Sequence, residues 1–318
     1  MKLGIIGTGM IVRDFLPEFM KMDGLSVCSV MGSPGGFEKA EALSGEFGIP
    51  KAVRSLQELC ETGIDTVYVA VPNSFHYEYC KEAMLRGMHV IVEKPMTDDP
   101  AKARELEALA REQKVMLFEA ITTIYMDGYR KILEWLPRIG ELKHIECRFC
   151  QYSSRYDRFK RGEHVPVFDP GQSGGALMDL NVYNLFFVMG IAGKPEEVTY
   201  YPNLERGVDT NGVVVMQYPG FTAVCTAAKD CSGRNGGTIL GTDGMIESVL
   251  TPNIVGDVYL TLRDGTREVF EEKYAAKRMI PEFEQFIRAV NEKDHAFCHA
   301  QLAKSIDVCD VLCRARGE

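Results

Sequence analysis

The sequence lacks an excess of positive charge, and this absence argues against two classes of partner. Its 318 residues carry 36 lysines and arginines against 45 aspartates and glutamates, which gives a net charge of -9 at pH 7. A nucleic-acid or anionic-membrane partner would require a basic surface. We therefore expect the partners to be small molecules and other copies of the same chain.

Long apolar runs and targeting signals are also missing. No stretch approaches the ~18 unbroken apolar residues of a membrane span. The first residues show no charged region followed by an apolar run and a small-residue cleavage site, as a secretory signal would. These absences predict a cytoplasmic protein.

The ten cysteines do not form the framework of a small disulfide-rich protein. They are scattered through segments with strand and helix patterns, in a chain too long to need covalent staples. Cys147 and Cys150 have the spacing of a metal clip, but residues three apart in a strand point to opposite faces. We expect reduced cysteines, mostly in the core, and no metal site.

The length allows two domains of ordinary size, and 46% of the residues are apolar, as in soluble globular proteins. Over residues 1–120, apolar strands alternate with helical patterns, which predicts an α/β domain with a Rossmann-type, doubly wound parallel sheet. Over residues 121–318, strands of alternating polarity are joined by short glycine turns. They predict an α+β domain with a large, mainly antiparallel sheet, whose open face joins copies into a dimer or tetramer.

A glycine-containing turn follows the first predicted strand and leads into a helical pattern. This order is typical of a dinucleotide-binding turn, in which backbone N–H groups approach a pyrophosphate. Val12 occupies the third glycine position of the pattern and is expected to push the helix away from the strand. The alternative is an ordinary tight turn. The predicted cofactor contacts here are Gly7, Gly9, Met10 and Ile11.

The second predicted strand ends at Met31 without the aspartate or glutamate that usually binds the ribose diol of NAD. The missing negative charge favours NADP, and Ser33 could hydrogen-bond its 2′-phosphate. No arginine stands in this loop to clamp a phosphate. A glycine-rich loop that discriminates poorly between NAD and NADP is therefore the alternative.

Two neighbouring strands end in polar motifs. The first continues into Val71, Pro72 and Asn73, which are predicted cofactor contacts. His76 follows in the first turn of a helix, where it is a candidate contact for cofactor or substrate. Asn73 or Ser74 would also serve as the N-cap of that helix.

The next strand ends in Glu93-Lys94-Pro95. A βαβ unit makes the two strands parallel, and ligands of such sheets bind beyond the carboxyl ends of the strands. Lys94 is therefore expected to point into the ligand crevice.

A second candidate site begins with Gly174 and Gly175, which lead into a helix predicted to continue to Met189. Asp179 and Tyr183 are four residues apart, so they share one face of that helix. A carboxylate and a phenol one turn apart could transfer protons. An isolated pair of this kind more often forms a surface hydrogen bond.

The loop from Ser153 to Asp169 carries several cations and His164, a further acid/base candidate. The cations could bind an anionic group of a substrate, although most such charge runs are solvated. They are Arg155, Arg158, Lys160 and Arg161.

Together these motifs resemble the glucose-fructose oxidoreductase, inositol dehydrogenase and MocA family over nearly the whole chain. The resemblance implies a Rossmann domain that binds NAD or NADP, a substrate domain with a largely antiparallel sheet, and sheet-to-sheet oligomers. It also implies hydride transfer between nicotinamide and a secondary hydroxyl or carbonyl of a sugar, polyol or dihydrodiol. It rests on Gly7-x-Gly9, Val71-Pro72-Asn73-x-x-His76, Glu93-Lys94-Pro95 and Gly174-Gly175-Ala176-Leu177-x-Asp179-x-x-x-Tyr183.

Residue by residue, Lys94 matches the family's catalytic lysine, Pro95 its neighbour, often a cis-proline, and Asp179 the motif aspartate. Tyr183 stands where inositol-dehydrogenase-like members have histidine and the dihydrodiol dehydrogenase branch has tyrosine, and Asn181 stands where many members have glycine. The resemblance thus implies the tyrosine branch, with Tyr183 as the acid/base. The competing hypothesis is a dinucleotide-binding sensor on the same fold, which would have no need of Lys94, Asp179 and Tyr183 together.

Overall fold

The structure is a computed structural model that describes residues 1–33 and 35–317. The chain forms two compact units. The first comprises Met1–Ala120 and Glu282–Ile306, and the second comprises Ile121–Pro281 and the residues from Asp307 onward. The sequence-based division assigns residues 282–306 to the second domain, whereas the structure assigns them to the first unit.

Helices alternate with strands in the first 120 residues and return at the end of the chain. Polar residues cap the starts of two of these helices. The side chain of Asp99 accepts a hydrogen bond from the backbone N–H of Ala101, and Pro100 is the first helical residue. The side chain of Ser55 accepts a hydrogen bond from the backbone N–H of Glu58. The helices are α1 (Met10–Phe19), α2 (Phe37–Phe47), α3 (Leu56–Cys60), α4 (His76–Leu85), α5 (Pro100–Gln113), α6 (Asp127–Trp135), α7 (Tyr156–Lys160), α8 (Val182–Ala192), α9 (Met279–Glu292) and α10 (His295–Arg316).

The first unit contains a six-stranded sheet in the order β3-β2-β1-β4-β5-β6, and every neighbouring pair is parallel. This order is that of a dinucleotide-binding fold. It confirms the predicted doubly wound sheet. The strands are β1 (Lys2–Ile6), β2 (Ser26–Met31), β3 (Lys51–Val53), β4 (Thr66–Val69), β5 (His89–Glu93) and β6 (Leu117–Ala120).

The segment that returns from the end of the chain completes the core of the first unit. The ring centroid of Phe283 lies 4.2 Å from that of Phe19 and 5.5 Å from that of Tyr68. Phe286 stacks on Phe118 at 4.7 Å. These rings are buried, and aromatic pairs at such distances add to the free energy gained by burial.

The second unit contains an eight-stranded sheet in the order β14-β13-β12-β11-β7-β10-β9-β8. The β7–β10 pair is parallel and the other pairs are antiparallel, which confirms the prediction of a large, mainly antiparallel sheet. The strands are β7 (Leu142–Cys150), β8 (Glu197–Glu205), β9 (Val208–Tyr218), β10 (Phe221–Ala228), β11 (Gly236–Gly241), β12 (Gly244–Ser248), β13 (Val258–Leu262) and β14 (Arg267–Phe270).

The two faces of this sheet differ. Along β7, Ile145, Cys147 and Phe149 are buried, while the residues between them are partly exposed. The helix α8 packs against β7 and β10 and so covers the buried face. The opposite face is the open face expected from the alternating pattern.

One apolar stretch of the second unit, Pro170–Ala192, is long and apolar enough to cross a membrane by length and composition alone. However, 72% of its most apolar window is buried inside the structure. The stretch ends in α8, so its hydrophobicity is that of a core helix that contacts the sheet.

Candidate functional site

The turn between β1 and α1 has the geometry that a pyrophosphate requires. Gly7 has a φ of 126°, and a Cβ at this position would lie closer than 3.0 Å to the carbonyl oxygen of Ala70. Gly9 is the N-cap of α1 and makes no side-chain cap, and a Cβ there would meet nothing within 4 Å. Open space therefore lies beside Gly9, at the N-terminus of α1, where an anion is stabilised. These residues fit a dinucleotide phosphate.

The residues that follow Gly9 border the same open space. Met10 is 59% exposed, and Ile11 is half-buried. Val12 lies in the core with 1% exposure, so the sheet accommodates the valine that was expected to push the helix away. The contacts of Gly7, Gly9, Met10 and Ile11 with a cofactor stay predictions.

The chain after β4 makes a short 3-10 turn, Asn73–Phe75, before α4 begins at His76. The N-cap of α4 is Phe75, and it makes no side-chain hydrogen bond. The expectation that Asn73 or Ser74 caps this helix is therefore wrong. The role of Val71, Pro72 and Asn73 as cofactor contacts stays a prediction.

His76 is fully buried and joins two loops. Its Nδ1 lies 2.9 Å from the carbonyl oxygen of Pro95, and its Nε2 lies 2.9 Å from that of Val71. Burial lowers the pKa of His76, and the charge of Lys94 acts in the same direction. A neutral imidazole carries one N–H, so His76 can donate to one of these carbonyls at a time. Both contacts position the ring between the two loops. The contact of His76 with cofactor or substrate stays a prediction.

Lys94 follows the last residue of β5, and the peptide bond from Lys94 to Pro95 is cis. The resemblance implied this isomer. The preceding residue, Glu93, accepts a hydrogen bond of 2.5 Å from the hydroxyl of Tyr68. Lys94 thus leaves the sheet at the carboxyl end of β5, where the fold class places its ligands.

Glu119 holds the chain just after Lys94, and sequence reasoning missed it. Its Oε1 accepts a hydrogen bond of 2.8 Å from the backbone N–H of Met96. Burial raises the pKa of Glu119 to about 7 and nearby Glu93 adds to the rise, while hydrogen bonds from Ser305 and Met96 and the charge of Lys94 oppose it. The available signal was a carboxylate within an otherwise apolar strand.

The second unit carries the other predicted residues, on a segment that begins at Gly175. This glycine has a φ of 112°, and a Cβ there would lie closer than 3.0 Å to Oδ1 of Asp209. Oδ2 of Asp209 accepts hydrogen bonds from the N–H of Leu177 at 2.7 Å and the hydroxyl of Tyr200 at 2.6 Å. Burial raises the pKa of Asp209. This carboxylate therefore anchors the start of the segment that contains Asp179.

Asp179 lies in a π-helical turn, Leu177–Asn181, that precedes α8. Such single turns inside helices are frequent at functional sites. The sequence predicts a regular helix here, in which Asp179 and Tyr183 share a face; the wider turn means that the four-residue spacing alone does not define that face. Tyr183 lies in the first turn of α8, is 8% exposed, and has its ring centroid 5.8 Å from that of Phe149.

A buried lysine that sequence reasoning missed holds the carboxylate of Asp179. Lys229 directly follows β10, and its side chain is 2% exposed. Its Nζ donates hydrogen bonds to Oδ2 of Asp179 at 2.7 Å and to the carbonyl oxygen of Val167 at 2.8 Å. It also lies 4.7 Å from the ring centroid of Phe168. A buried ammonium needs such partners, so Asp179 compensates the charge of Lys229 and is itself held in place.

The basic loop of the second unit is largely neutralised by its own carboxylates. Exposed pairs of this kind contribute little to stability, and they favour a solvated loop over a binding site for an anionic substrate group. His164 contacts Oδ2 of Asp169 through Nε2 at 2.7 Å. The other pairs are Lys160–Asp157 (2.8 Å), Arg158–Glu163 (2.6 Å) and Arg161–Glu163 (2.9 Å).

A parallel sheet in this strand order, with an open glycine turn after its first strand, defines a dinucleotide-binding protein. A family model described as "Oxidoreductase family, NAD-binding Rossmann fold" matches residues 1–121, and one described as "GFO/IDH/MocA C-terminal domain" matches residues 130–247. The chain belongs to the GFO/IDH/MocA family of oxidoreductases.

Curated relatives agree with this membership. Scyllo-inositol 2-dehydrogenase (NADP(+)) IolU of Bacillus subtilis is 29% identical to this chain. The match covers 100% of this chain and 96% of that protein. The uncharacterized oxidoreductase YgjR of Escherichia coli is 30% identical with the same coverage. Trans-1,2-dihydrobenzene-1,2-diol dehydrogenase of Mus musculus is 30% identical over 78% of this chain and 74% of its own length.

Solved structures share the fold. KijD10, a 3-ketoreductase from Actinomadura kijaniata in complex with NADP and TDP-benzene, has a TM-score of 0.84 and 22% identity, and the match covers 100% of this chain and 97% of that one. The family, the fold and the relatives make this protein an NAD(P)-dependent dehydrogenase or reductase that acts on CH–OH groups, as predicted.

Proposed function

We propose that this protein transfers a hydride between NAD(P) and a secondary hydroxyl or carbonyl of a sugar, polyol or dihydrodiol, with Lys94, Asp179 and Tyr183 handling the proton. The proposal depends most on how the backbone next to Lys94 is held in place. His76 and Glu119 bond the backbone on its carboxyl side, at the carboxyl end of β5. The relatives named for an inositol and for a dihydrodiol support a substrate with adjacent hydroxyl groups.

The proton chemistry follows from the residue types. Bound NAD(P) supplies or accepts the hydride. Tyr183 takes the hydroxyl proton as the carbonyl forms, and it returns a proton in the reduction direction. A tyrosine is a weak base at neutral pH, and the ammonium of Lys94 favours the phenolate. Asp179, held by Lys229, binds a substrate hydroxyl or orients Lys94.

We place the cofactor against the Gly7–Ile11 turn, the Ser33 loop and the chain from Val71 to Asn73, next to Glu93 and Lys94. We assign substrate binding and oligomerisation to the second unit, through the open face of its sheet, and we place the protein in the cytoplasm. Small-molecule substrates suit its acidic surface, as the net charge of -9 indicates.

The experiment is a dehydrogenase screen over inositols, sugars and dihydrodiols, with NAD and NADP side by side. The substrate that turns over is then used with Lys94→Ala and Tyr183→Phe. We expect each variant to lower kcat by about 10²- to 10⁴-fold, the range of general acid–base catalysis.

Matched controls are Lys21→Ala and Tyr201→Phe, which alter exposed side chains of the same types and should leave kcat unchanged. Dinucleotide binding, followed by fluorescence of the reduced cofactor, should persist in Tyr183→Phe. Unchanged turnover in both Lys94→Ala and Tyr183→Phe would show that the proposed proton transfer is wrong.

A further inference from the structure

A pocket of about 390 Å³ lies beside the carboxyl end of β2, within the first unit. In dinucleotide-binding sheets, the loop after the second strand contacts the ribose of the adenosine half of the cofactor. In NADP enzymes a nearby arginine binds the 2′-phosphate on that ribose. Three segments line this pocket: Gly32, Ser33 and Gly35 after β2, Phe37, Glu38 and Glu41 in α2, and Val53 and Arg54 at the end of β3.

Arg54 brings a guanidinium to this pocket from the residue that directly follows β3. Its guanidinium carbon lies 3.6 Å from the centroid of the Phe37 ring. Its backbone N–H donates a hydrogen bond of 2.9 Å to Oε2 of Glu58, within the capping box of α3. The backbone of Arg54 is thus anchored by one helix and its side chain by another.

Stacking of this kind suits phosphate binding. A ring contact uses the flat face of the guanidinium, whereas its N–H donors lie along the edge. Those donors match the oxygens of a phosphate and can bind two of them at once. Pre-ordering by Phe37 lowers the side-chain entropy that Arg54 would lose on binding.

Ser33 supplies a second polar group in the same pocket. Its carbonyl oxygen accepts a hydrogen bond of 2.7 Å from the N–H of Gly36, which closes the loop into a turn. The Ser33 side chain is exposed. Pro34 lies outside the described residues. The loop from Gly32 to Gly36 contains no carboxylate that would repel a phosphate.

Two carboxylates in the pocket oppose the binding of a phosphate. Glu38 and Glu41 lie on α2, and either could instead accept hydrogen bonds from a ribose diol, which would favour NAD. Glu38, Glu41 and Arg54 are all exposed, but Arg54 also stacks on the ring of Phe37. This stacking gives the guanidinium a defined position from which it can bind an anion.

We propose that Arg54 and Ser33 form the binding site for the 2′-phosphate of NADP, and that Arg54 sets the preference of this enzyme for NADP over NAD. The proposal rests on the use of a dinucleotide by the first unit and is independent of the roles of Lys94, Asp179 and Tyr183.

The test measures binding by titration calorimetry on the full chain and does not depend on turnover. The probes are 2′,5′-ADP and 5′-AMP, which differ by the 2′-phosphate, followed by NADP and NAD. Wild type should bind 2′,5′-ADP more tightly than 5′-AMP. Arg54→Ala should weaken 2′,5′-ADP and NADP by about 10- to 100-fold, the range of a charge-assisted contact, and change 5′-AMP and NAD by less than about twofold.

Two further variants sharpen the result. Arg54→Lys keeps the charge but loses the planar fork, so its affinity for 2′,5′-ADP should fall between those of wild type and Arg54→Ala. Arg86→Ala removes an exposed arginine that pairs with Glu82 on α4 and should change neither affinity. Circular dichroism of each variant reports whether the fold is retained.

Equal affinity of wild type for 2′,5′-ADP and 5′-AMP would overturn the proposal, and so would equal loss of NAD and NADP binding in Arg54→Ala. Either result leaves the oxidoreductase assignment standing, because both dinucleotides still bind to wild type. Conversely, a selective loss of NADP binding in Arg54→Ala supports the site even if Lys94→Ala retains its turnover.

Discussion

Glu119 gives the most specific prediction, because its buried carboxyl couples stability to pH. Its pKa rises from the ordinary 4.5 to about 7 in the folded protein, with burial as the main cause. Between these two values the folded state holds a proton that the unfolded state releases. Stability must therefore fall as the pH rises from about 4.5 through about 7, and the full loss is reached above that pH.

The size of the effect follows from the displacement of the pKa. Each pH unit corresponds to about 1.4 kcal/mol, so the ionised carboxylate costs the folded state roughly 3 kcal/mol. Glu119→Gln keeps an oxygen that accepts the hydrogen bond from the Met96 N–H but cannot ionise. We expect the variant to match wild type near pH 4.5 and to be more stable by roughly 3 kcal/mol at pH 8.

Urea unfolding of both proteins at several pH values measures this difference directly. Glu112→Gln, an exposed substitution on α5, is the matched control and should show no pH-dependent difference from wild type. If the free-energy difference between Glu119→Gln and wild type were the same at pH 5 and pH 8, the proposed proton uptake by Glu119 would be refuted.

Two further predictions concern Lys229 and the glycine turn. Lys229→Met should destabilise the protein by roughly 3 kcal/mol and lower kcat, because it removes the charge that holds Asp179; urea unfolding and kinetics measure both effects. The exposed control Lys143→Met should cost less than about 1 kcal/mol, and equal losses in the two would contradict the buried pairing. Gly7→Ala should destabilise by more than about 2 kcal/mol, since a Cβ would approach Ala70 at a positive φ. Gly9→Ala should instead leave unfolding nearly unchanged and weaken binding of reduced cofactor, measured by fluorescence, and a reversed order would contradict the assigned roles.

Features set by local patterns were predictable from the sequence. The alternation of strand and helix up to Ala120 predicted the parallel sheet, and the glycine turns of the second half predicted the hairpins β9–β10 and β13–β14. Lys94 was predictable for the same reason. A lysine that ends a strand of a βαβ unit lies at the carboxyl edge of a parallel sheet, where ligands of such sheets bind.

Features that depend on contacts between distant residues could not be predicted in this way. Lys229 lies 50 positions beyond Asp179, and nothing in the local pattern of β10 indicates that its next residue pairs with that carboxylate. Arg54 follows β3 and Ser33 follows β2, and only the sheet order brings both to one pocket. The π-turn at Asp179 breaks the helical spacing on which the prediction of a shared face depended.

The late return of the chain to the first unit has a consequence for biosynthesis. A ribosome releases Phe19, Tyr68 and Phe118 long before it makes Phe283 and Phe286, the rings that cover them. Domains that emerge first usually fold first, but here the nascent nucleotide-binding half must wait, with apolar surface uncovered, until residue 306 has been synthesised. A fragment cut at residue 120 would keep that exposed surface permanently and should aggregate or recruit chaperones.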